Sequence, residues 1–262
     1  MSEEVFESFD DDDPDRIYRR GDWVYRPRSS WTPAVEDLLR HLEREGFPLA
    51  PRVGPSHRDH QVLSYVEGLD GGACWRMIDT DDGLARFARL LRSYHDAVRS
   101  YRPPSHARWA RGRPGPPGPG ELMCHGDFAP WNVVWTERGE PAGIIDWDFA
   151  FPGEPSFDVL YAMDWSVPFR DDEACLDFHH FGEVPDRRNR IEIFLDSYGH
   201  DALDPGLEVV AGVCGVRRRT ASNERELAAR GIRPQATWVA AGHLDQVEAV
   251  TRWIEEHADL FG

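Results

Sequence analysis

Two short runs hold residues whose types and spacing can do chemistry. The first is His125-Gly126-Asp127-Phe128-Ala129-Pro130-Trp131-Asn132. The second is Gly143-Ile144-Ile145-Asp146-Trp147-Asp148, where Asp146 closes an apolar run. A carboxylate such as Asp127 can orient a hydroxyl and accept its proton. Asn132 offers a neutral oxygen ligand and Asp146 an anionic one. One amide and one carboxylate, completed by phosphate oxygens and water, suit Mg2+. A proton acceptor beside such a cation is what transfer of a phosphoryl group to a hydroxyl demands. A lone H-x-D would say little, but the two runs at this separation are a specific signal.

The surrounding sequence must position these residues. Leu122-Met123-Cys124 reads as a short strand feeding the first run. Residues 132–135 and 142–146 flank the turn at Arg138-Gly139 and read as a hairpin. Upstream, Ile17-Tyr18 and Trp23-Val24-Tyr25 read as strands around Gly21-Asp22. Thr32-Pro33 is a helix start with a hydroxyl N-cap, and Val35, Leu38, Leu39 and Leu42 form its apolar stripe up to Gly46. A strand is expected over 60–66 and a helix over 80–101, the latter with Leu84, Phe87, Leu91, Tyr94 and Val98 inward. Residues 103–120 are dense in Pro and Gly and read as an irregular loop without packed structure. Beyond Asp158 the chain reads as helical over about 156–165, 186–198, 205–230 and 234–258.

The chain has 262 residues, enough for one large domain or two lobes, and its net charge is −17. Phosphate repulsion makes a nucleic-acid partner untenable, whereas a cationic small molecule is compatible with that charge. No apolar run approaches the ~20 residues that span a bilayer, so no membrane partner is expected. Cys74, Cys124, Cys175 and Cys214 show no C-x-x-C spacing, which points to a reducing cytoplasm rather than a disulfide framework or zinc site. The adjacent His179 and His180, with no further ligands nearby in sequence, make a poor metal site.

With both runs in hand, the chain resembles the aminoglycoside phosphotransferase family within the protein-kinase-like fold. The resemblance rests on residues 122–158 and extends more loosely from Trp23 to the C-terminus through Val62-Leu63-Ser64-Tyr65-Val66-Glu67-Gly68 and Tyr94-His95-Asp96-Ala97. It implies an α+β, bilobal fold. A reduced N-terminal β lobe with its hinge spans residues 1–68, and a larger, mainly helical C-terminal lobe spans 69–262. It implies Asp127 as the catalytic base, Asn132 and Asp146 as Mg2+ ligands, and the Ser64 carbonyl and Val66 amide as the groups that bind the purine of ATP or GTP. His125 is expected to brace the loop rather than act as a base, with Asp148 and Asp158 structural. The implied activity is an Mg-dependent kinase, an O-phosphotransferase acting on a small-molecule hydroxyl, an aminoglycoside-like antibiotic among the candidates and antibiotic resistance among the outcomes.

The chain departs from that family in its front part. It contains no lysine, so Arg26 stands where the phosphate-binding lysine is expected, with Glu36 or Glu43 as its partner. The place of a glycine-rich loop is taken by Asp10–Asp15, Arg16, Arg19 and Arg20. Backbone amides cradle phosphates best where side chains are absent. Nucleotide binding is thus weakened, rebuilt on Arg19 and Arg20, or lost. A pseudokinase that binds a ligand or partner without turnover is therefore the alternative from another class. A kinase of a peptide or metabolite in a biosynthetic pathway is the second. Asp164, Asp171, Asp172 and Glu173 either face a cationic acceptor, with Trp165 and the Phe178–Phe181 cluster lining its pocket, or form a solvated acidic loop.

Overall fold

Gly21 takes φ +60 at the turn between strands β2 (Tyr18–Arg20) and β3 (Trp23–Pro27), a conformation glycine adopts without strain. In this computed structural model, which describes residues 6–9, 17–199, 203 and 207–262, β1 (Phe6–Ser8) pairs with β2 and β4 (His60–Ser64) pairs with β3. All pairings are antiparallel, with Val24 opposite Leu63 and Tyr25 opposite Val62. β1 was not legible beforehand, since three residues beside an acidic run show no periodicity. The Asp10–Arg16 stretch and the first residues of the helix expected from 205 lie outside the described residues.

Helix α1 (Thr32–Arg44) buries Val35, Leu38, Leu39 and Leu42 as its stripe requires. Its cap differs from the expectation. Thr32 is already helical, and its hydroxyl accepts from the Ser29 amide at 2.8 Å, closing the preceding turn instead of capping the helix. After α2 (Trp75–Ile78), helix α3 (Asp81–Val98) holds Leu84, Phe87, Leu91, Tyr94 and Val98 fully out of solvent. Strand β5 (Leu122–Cys124) pairs with β8 (Phe151–Gly153), and β6 (Val133–Trp135) forms the expected hairpin with β7 (Pro141–Ile144). Helices α4 (Pro155–Ser166), α5 (Asp172–Asp177), α6 (Arg187–Tyr198), α7 (Val209–Ala229), α8 (Gln235–Ala240) and α9 (His243–Glu256) follow. The helix expected over 234–258 is thus two helices, parted at Gly242, whose φ of +87 breaks the α-helical path.

Two compact units result. One gathers residues 1–74, 93–127 and 131–154; the other gathers 75–92, 128–130 and 155–262. The β5–β8 and β6–β7 pairs fall in the same unit as the front sheet. In the second unit α4 packs on α7 so closely that a methyl on Gly212 would stand 2.9 Å from the Leu160 side chain. No helix among the described residues is long and apolar enough to cross a membrane.

The candidate active site

Every residue anticipated for catalysis, metal or nucleotide lies in the first unit. The loop after β5 turns at Gly126, where φ is +81 and an added Cβ would run into the Phe149 carbonyl oxygen. That turn presents Asp127. Asn132 Nδ2 donates to both the Asp127 carbonyl and its Oδ2, each at 2.9 Å. Two acceptors on one amide nitrogen fix the side chain's orientation, so Asn132 presents its oxygen as the potential ligand atom.

The second run is tied to the first through the backbone. Ile145 N–H donates to the Asn132 carbonyl at 2.9 Å, and the buried His125 Nε2 donates to the Ile145 carbonyl at 3.0 Å. His125 Nδ1 accepts from the Asp127 amide at 3.3 Å. With one nitrogen donating and the other accepting, this imidazole is a neutral brace between the two runs. Asp146 then adopts a left-handed conformation, φ 59 and ψ 64, which a non-glycine residue holds only when its surroundings impose it. Its side chain remains 42% exposed.

Arg26, on β3, does not pair with Glu36 or Glu43. Its Nη2 reaches Asp146 Oδ1 at 3.2 Å and Asp148 Oδ2 at 2.5 Å. Burial opposes the Arg26 charge, but Asp148 and Asp146 outweigh it and hold its pKa above the usual value. Glu36 pairs instead with Arg28 at 2.8 Å and with Arg40, while Glu43 pairs with Arg52. Arg28, just past the end of β3 and nearer in sequence to α1, is the arginine that meets the helix carboxylate. Asp148 also accepts from Trp31 Nε1 at 3.3 Å, which anchors it as a support for Arg26.

Ser64 ends β4. Its amide donates to the Arg52 carbonyl and its hydroxyl accepts from the Arg52 amide, both at 2.8 Å. Val66 lies over Gly143 of β7, where a methyl would come within 2.8 Å of Val66 Cγ1. Gly68 and Leu69 reach β6, with Leu69 and Trp135 exchanging bonds of 2.7 and 2.8 Å. The 64–69 connector is thereby stitched to the hairpin that carries Asp146. Arg19 stacks 3.7 Å above the Tyr65 ring and donates to the Gly21 carbonyl.

The Pro- and Gly-rich segment is irregular, as expected, but it is packed. Tyr101, Ala107, Trp109 and Ala110 are buried, and Arg111 donates to the Gly126 carbonyl at 2.5 Å while lying over the Phe149 ring. Arg111 was missed because a Pro- and Gly-rich run carries no periodicity that could mark it.

The expected acidic face is also corrected. Asp164 is buried between Arg170 at 2.7 Å and Arg217 at 2.6 Å, Asp171 caps α5 through the Ala174 amide, and Asp172 pairs with Arg187. An aspartate beside arginines joins them rather than standing open for a cation. Trp165 and Phe178 do line a cavity of the second unit, whereas His179 is buried.

Oxygen donors can be assembled from Asn132 and Asp146, with Asp148 behind them. Among the described residues no group of three His, Cys, Asp or Glu side chains forms a metal cage. That donor set fits Mg2+, which is held by one or two carboxylates together with phosphates and water. A front antiparallel sheet, a bracing histidine, and an aspartate held by the Asn132 amide are the layout of the protein-kinase-like phosphotransferases. The sequence profile of the phosphotransferase enzyme family matches residues 105–190. The trifolitoxin immunity protein of Rhizobium leguminosarum bv. trifolii is 33% identical over 189 residues, 70% of each chain. The chain belongs to the phosphotransferase enzyme family. Solved structures share the fold. The gentamicin complex of APH(2")-IIa superposes with a TM-score of 0.56 at 12% identity, covering 96% of this chain and 91% of the other. The aminoglycoside-3'-phosphotransferase of type VIII gives 0.53 at 18%, covering 82% and 92%.

Proposed function

We propose that this phosphotransferase moves the γ-phosphate of ATP or GTP to a hydroxyl of a small toxin or antibiotic, and that immunity is the outcome. The tie between Asn132 Nδ2 and Asp127 Oδ2 at 2.9 Å carries the reading. It holds the carboxylate in one orientation, from which it accepts the proton of an attacking hydroxyl. Asn132 and Asp146 would hold Mg2+, which when bound offsets the charge of the phosphates. The Ser64 carbonyl and Val66 amide bind the purine edge. Arg26 spends only Nη2 on Asp146 and Asp148, so its remaining N–H groups serve a phosphate oxygen. The relative named for trifolitoxin immunity and the solved aminoglycoside kinases are compatible with an acceptor of the toxin or antibiotic kind.

Asp127→Ala tests the base. Transfer of label from γ-32P ATP or GTP to a hydroxylated acceptor should fall by about 10^2- to 10^4-fold while the circular dichroism spectrum is unchanged. Cells expressing the wild-type chain should survive trifolitoxin, and cells expressing Asp127→Ala should not. Near-normal turnover in the variant would sink the assignment. A second reading, a binding protein without turnover, is favoured by Arg26 lying across Asp146 and Asp148 in a chain without lysine. It predicts no label transfer to any acceptor.

A further inference from the structure

Arg111 touches both chemistry-bearing runs from the packed 101–120 segment. Its Nη2 donates to the Gly126 carbonyl at 2.5 Å, and its guanidinium lies 4.5 Å over the Phe149 ring and 5.7 Å from that of Phe151. Gly126 belongs to the first run, Phe149 directly follows Asp148 of the second, and Phe151 pairs with Cys124 across β5 and β8. The segment delivers the side chain there by packing. Ala107, Trp109 and Ala110 are buried, Trp109 Nε1 donates to the Gly115 carbonyl at 3.1 Å, and a methyl on Gly112 would stand 3.3 Å from the Phe151 ring. The bond to Gly126 matters because of what shares its peptide plane. The Gly126 carbonyl and the Asp127 N–H are two edges of one rigid unit. The N–H edge donates to His125 Nδ1 at 3.3 Å, and the carbonyl edge accepts from Arg111. Glycine leaves such a plane free to rotate, and Gly126 with its φ of +81 uses that freedom. Two bonds on opposite edges then take the freedom away, just upstream of the side chain that Asn132 holds.

We propose that Arg111 is a positioning residue for Asp127: it fixes the Gly126–Asp127 peptide and thereby the direction in which the carboxylate leaves the loop. Resting on the reading of Asp127 as the base, this role gives the Pro- and Gly-rich segment a part in catalysis and not only in linking. A guanidinium suits the task, because its flat face lies on Phe149 while an edge N–H points at a carbonyl. Its charge also strengthens that bond over one from a neutral donor. A lysine would keep charge and donor but lose the flat face. Misplacing a reacting group by about 1 Å costs on the order of 10^2-fold in rate. Loss of the clamp therefore acts on turnover and not on nucleotide affinity, since Arg26, Ser64 and Val66 make none of these contacts.

Three variants of the full chain test this. Arg111→Met keeps an unbranched chain over Phe149 and removes the donor, so kcat for label transfer should fall by about 10- to 100-fold with the nucleotide KM unchanged. Arg111→Lys should recover part of the loss. Arg113→Ala removes an exposed arginine of the same segment, bonded to Glu121 and the Pro116 carbonyl, and should leave kcat as it was. Amide exchange gives a readout that needs no turnover. The Asp127 amide should exchange about tenfold faster in Arg111→Met than in the wild type, with α4 and α7 unaffected. If Arg111→Met does not fold, Arg111→Ala replaces it, and millimolar methylguanidine should restore both turnover and Asp127 protection. An unchanged kcat, a rise in nucleotide KM matching the fall in kcat, equal losses in Arg111→Met and Arg113→Ala, or an Asp127 amide exchanging at the wild-type rate would each overturn the proposal. A wild-type chain that transfers no label, with Asp127 exchange still faster in Arg111→Met, would overturn the phosphotransfer reading and support the clamp.

Discussion

Arg26 is where the chemistry of single residues departs furthest from the family pattern. A lysine is a point charge, whereas an arginine can hold two carboxylates with one nitrogen and still offer N–H groups elsewhere. Its Nη2 on Asp146 and Asp148 links the proposed phosphate-binding residue to the proposed metal ligand through one side chain. Arg26→Ala should therefore raise KM for the nucleotide by about 10- to 100-fold, the loss of one charge-assisted bond. Arg26→Lys should recover only part of it, as steady-state kinetics in both variants would show. An unchanged nucleotide KM in Arg26→Ala would remove it from the phosphates. His179 makes a different residue-scale case. Both ring nitrogens are buried without a hydrogen-bond partner among the described residues, and burial, helped by Arg170, pushes its pKa down to about 3. A depressed folded pKa means that the unfolded chain takes up the proton first. Stability is then full above the unfolded value of about 6.5 and declines as pH falls toward the folded one. Each pH unit in that window costs about 1.4 kcal/mol per proton. His179→Leu has no buried nitrogen to protonate. Its urea midpoint should fall less between pH 6.5 and 4 than that of the wild type, and a parallel fall would refute the account.

At the scale of elements, the candidate catalytic turn depends on glycine for geometry rather than flexibility. Gly126→Ala would combine a positive φ with a collision at the Phe149 carbonyl, so the loop must shift and carry Asp127 with it. Activity should drop by at least 100-fold and stability by about 1–3 kcal/mol, measured by label transfer and urea titration. Retained activity would mean that the loop tolerates displacement. The sequence shows which elements are readable and which are not. Helices α1 and α3 carry strong 3.6-residue stripes, and the β6–β7 hairpin has its turn glycine, so each falls where periodicity puts it. β1 and β8 are three residues each, too short for a period, and exist because partners pair with them. The packed 101–120 segment is held by Trp109 donating to the Gly115 carbonyl and by Arg111 on the catalytic turn, contacts that no local pattern announces. The residue types of the candidate site were legible because chemistry constrains them. Their ion-pair partners were not, because Arg26 meets Asp146 and Asp148 across more than a hundred residues of chain, a contact no local pattern announces.

Across the whole molecule, the candidate site falls within one of the two units. Arg26, Ser64, Val66, Asn132 and Asp146 all belong to the first. A ligand that binds only the folded state stabilises it by about 2.7 kcal/mol at 100 times its Kd. In a chain of this size that is a rise of several degrees in melting temperature. Melting temperature alone does not say which region was filled, but amide exchange does, because protection follows the elements that a ligand stabilises. Nucleotide with Mg2+ should slow exchange over residues 61–68 and 125–148 and leave α7 and α9 as they were. The pattern also separates the two front-end possibilities. If Arg26 and the 64–66 connector suffice to hold a nucleotide without a lysine, protection appears at millimolar ATP or GTP and is enlarged by Mg2+, because the phosphates and the cation are bound together. If saturating nucleotide and Mg2+ leave residues 61–68 and 125–148 exchanging at the unliganded rate, the donor is not a nucleoside triphosphate. The Asp127, Asn132 and Asp146 set would then have to serve another phosphoryl donor.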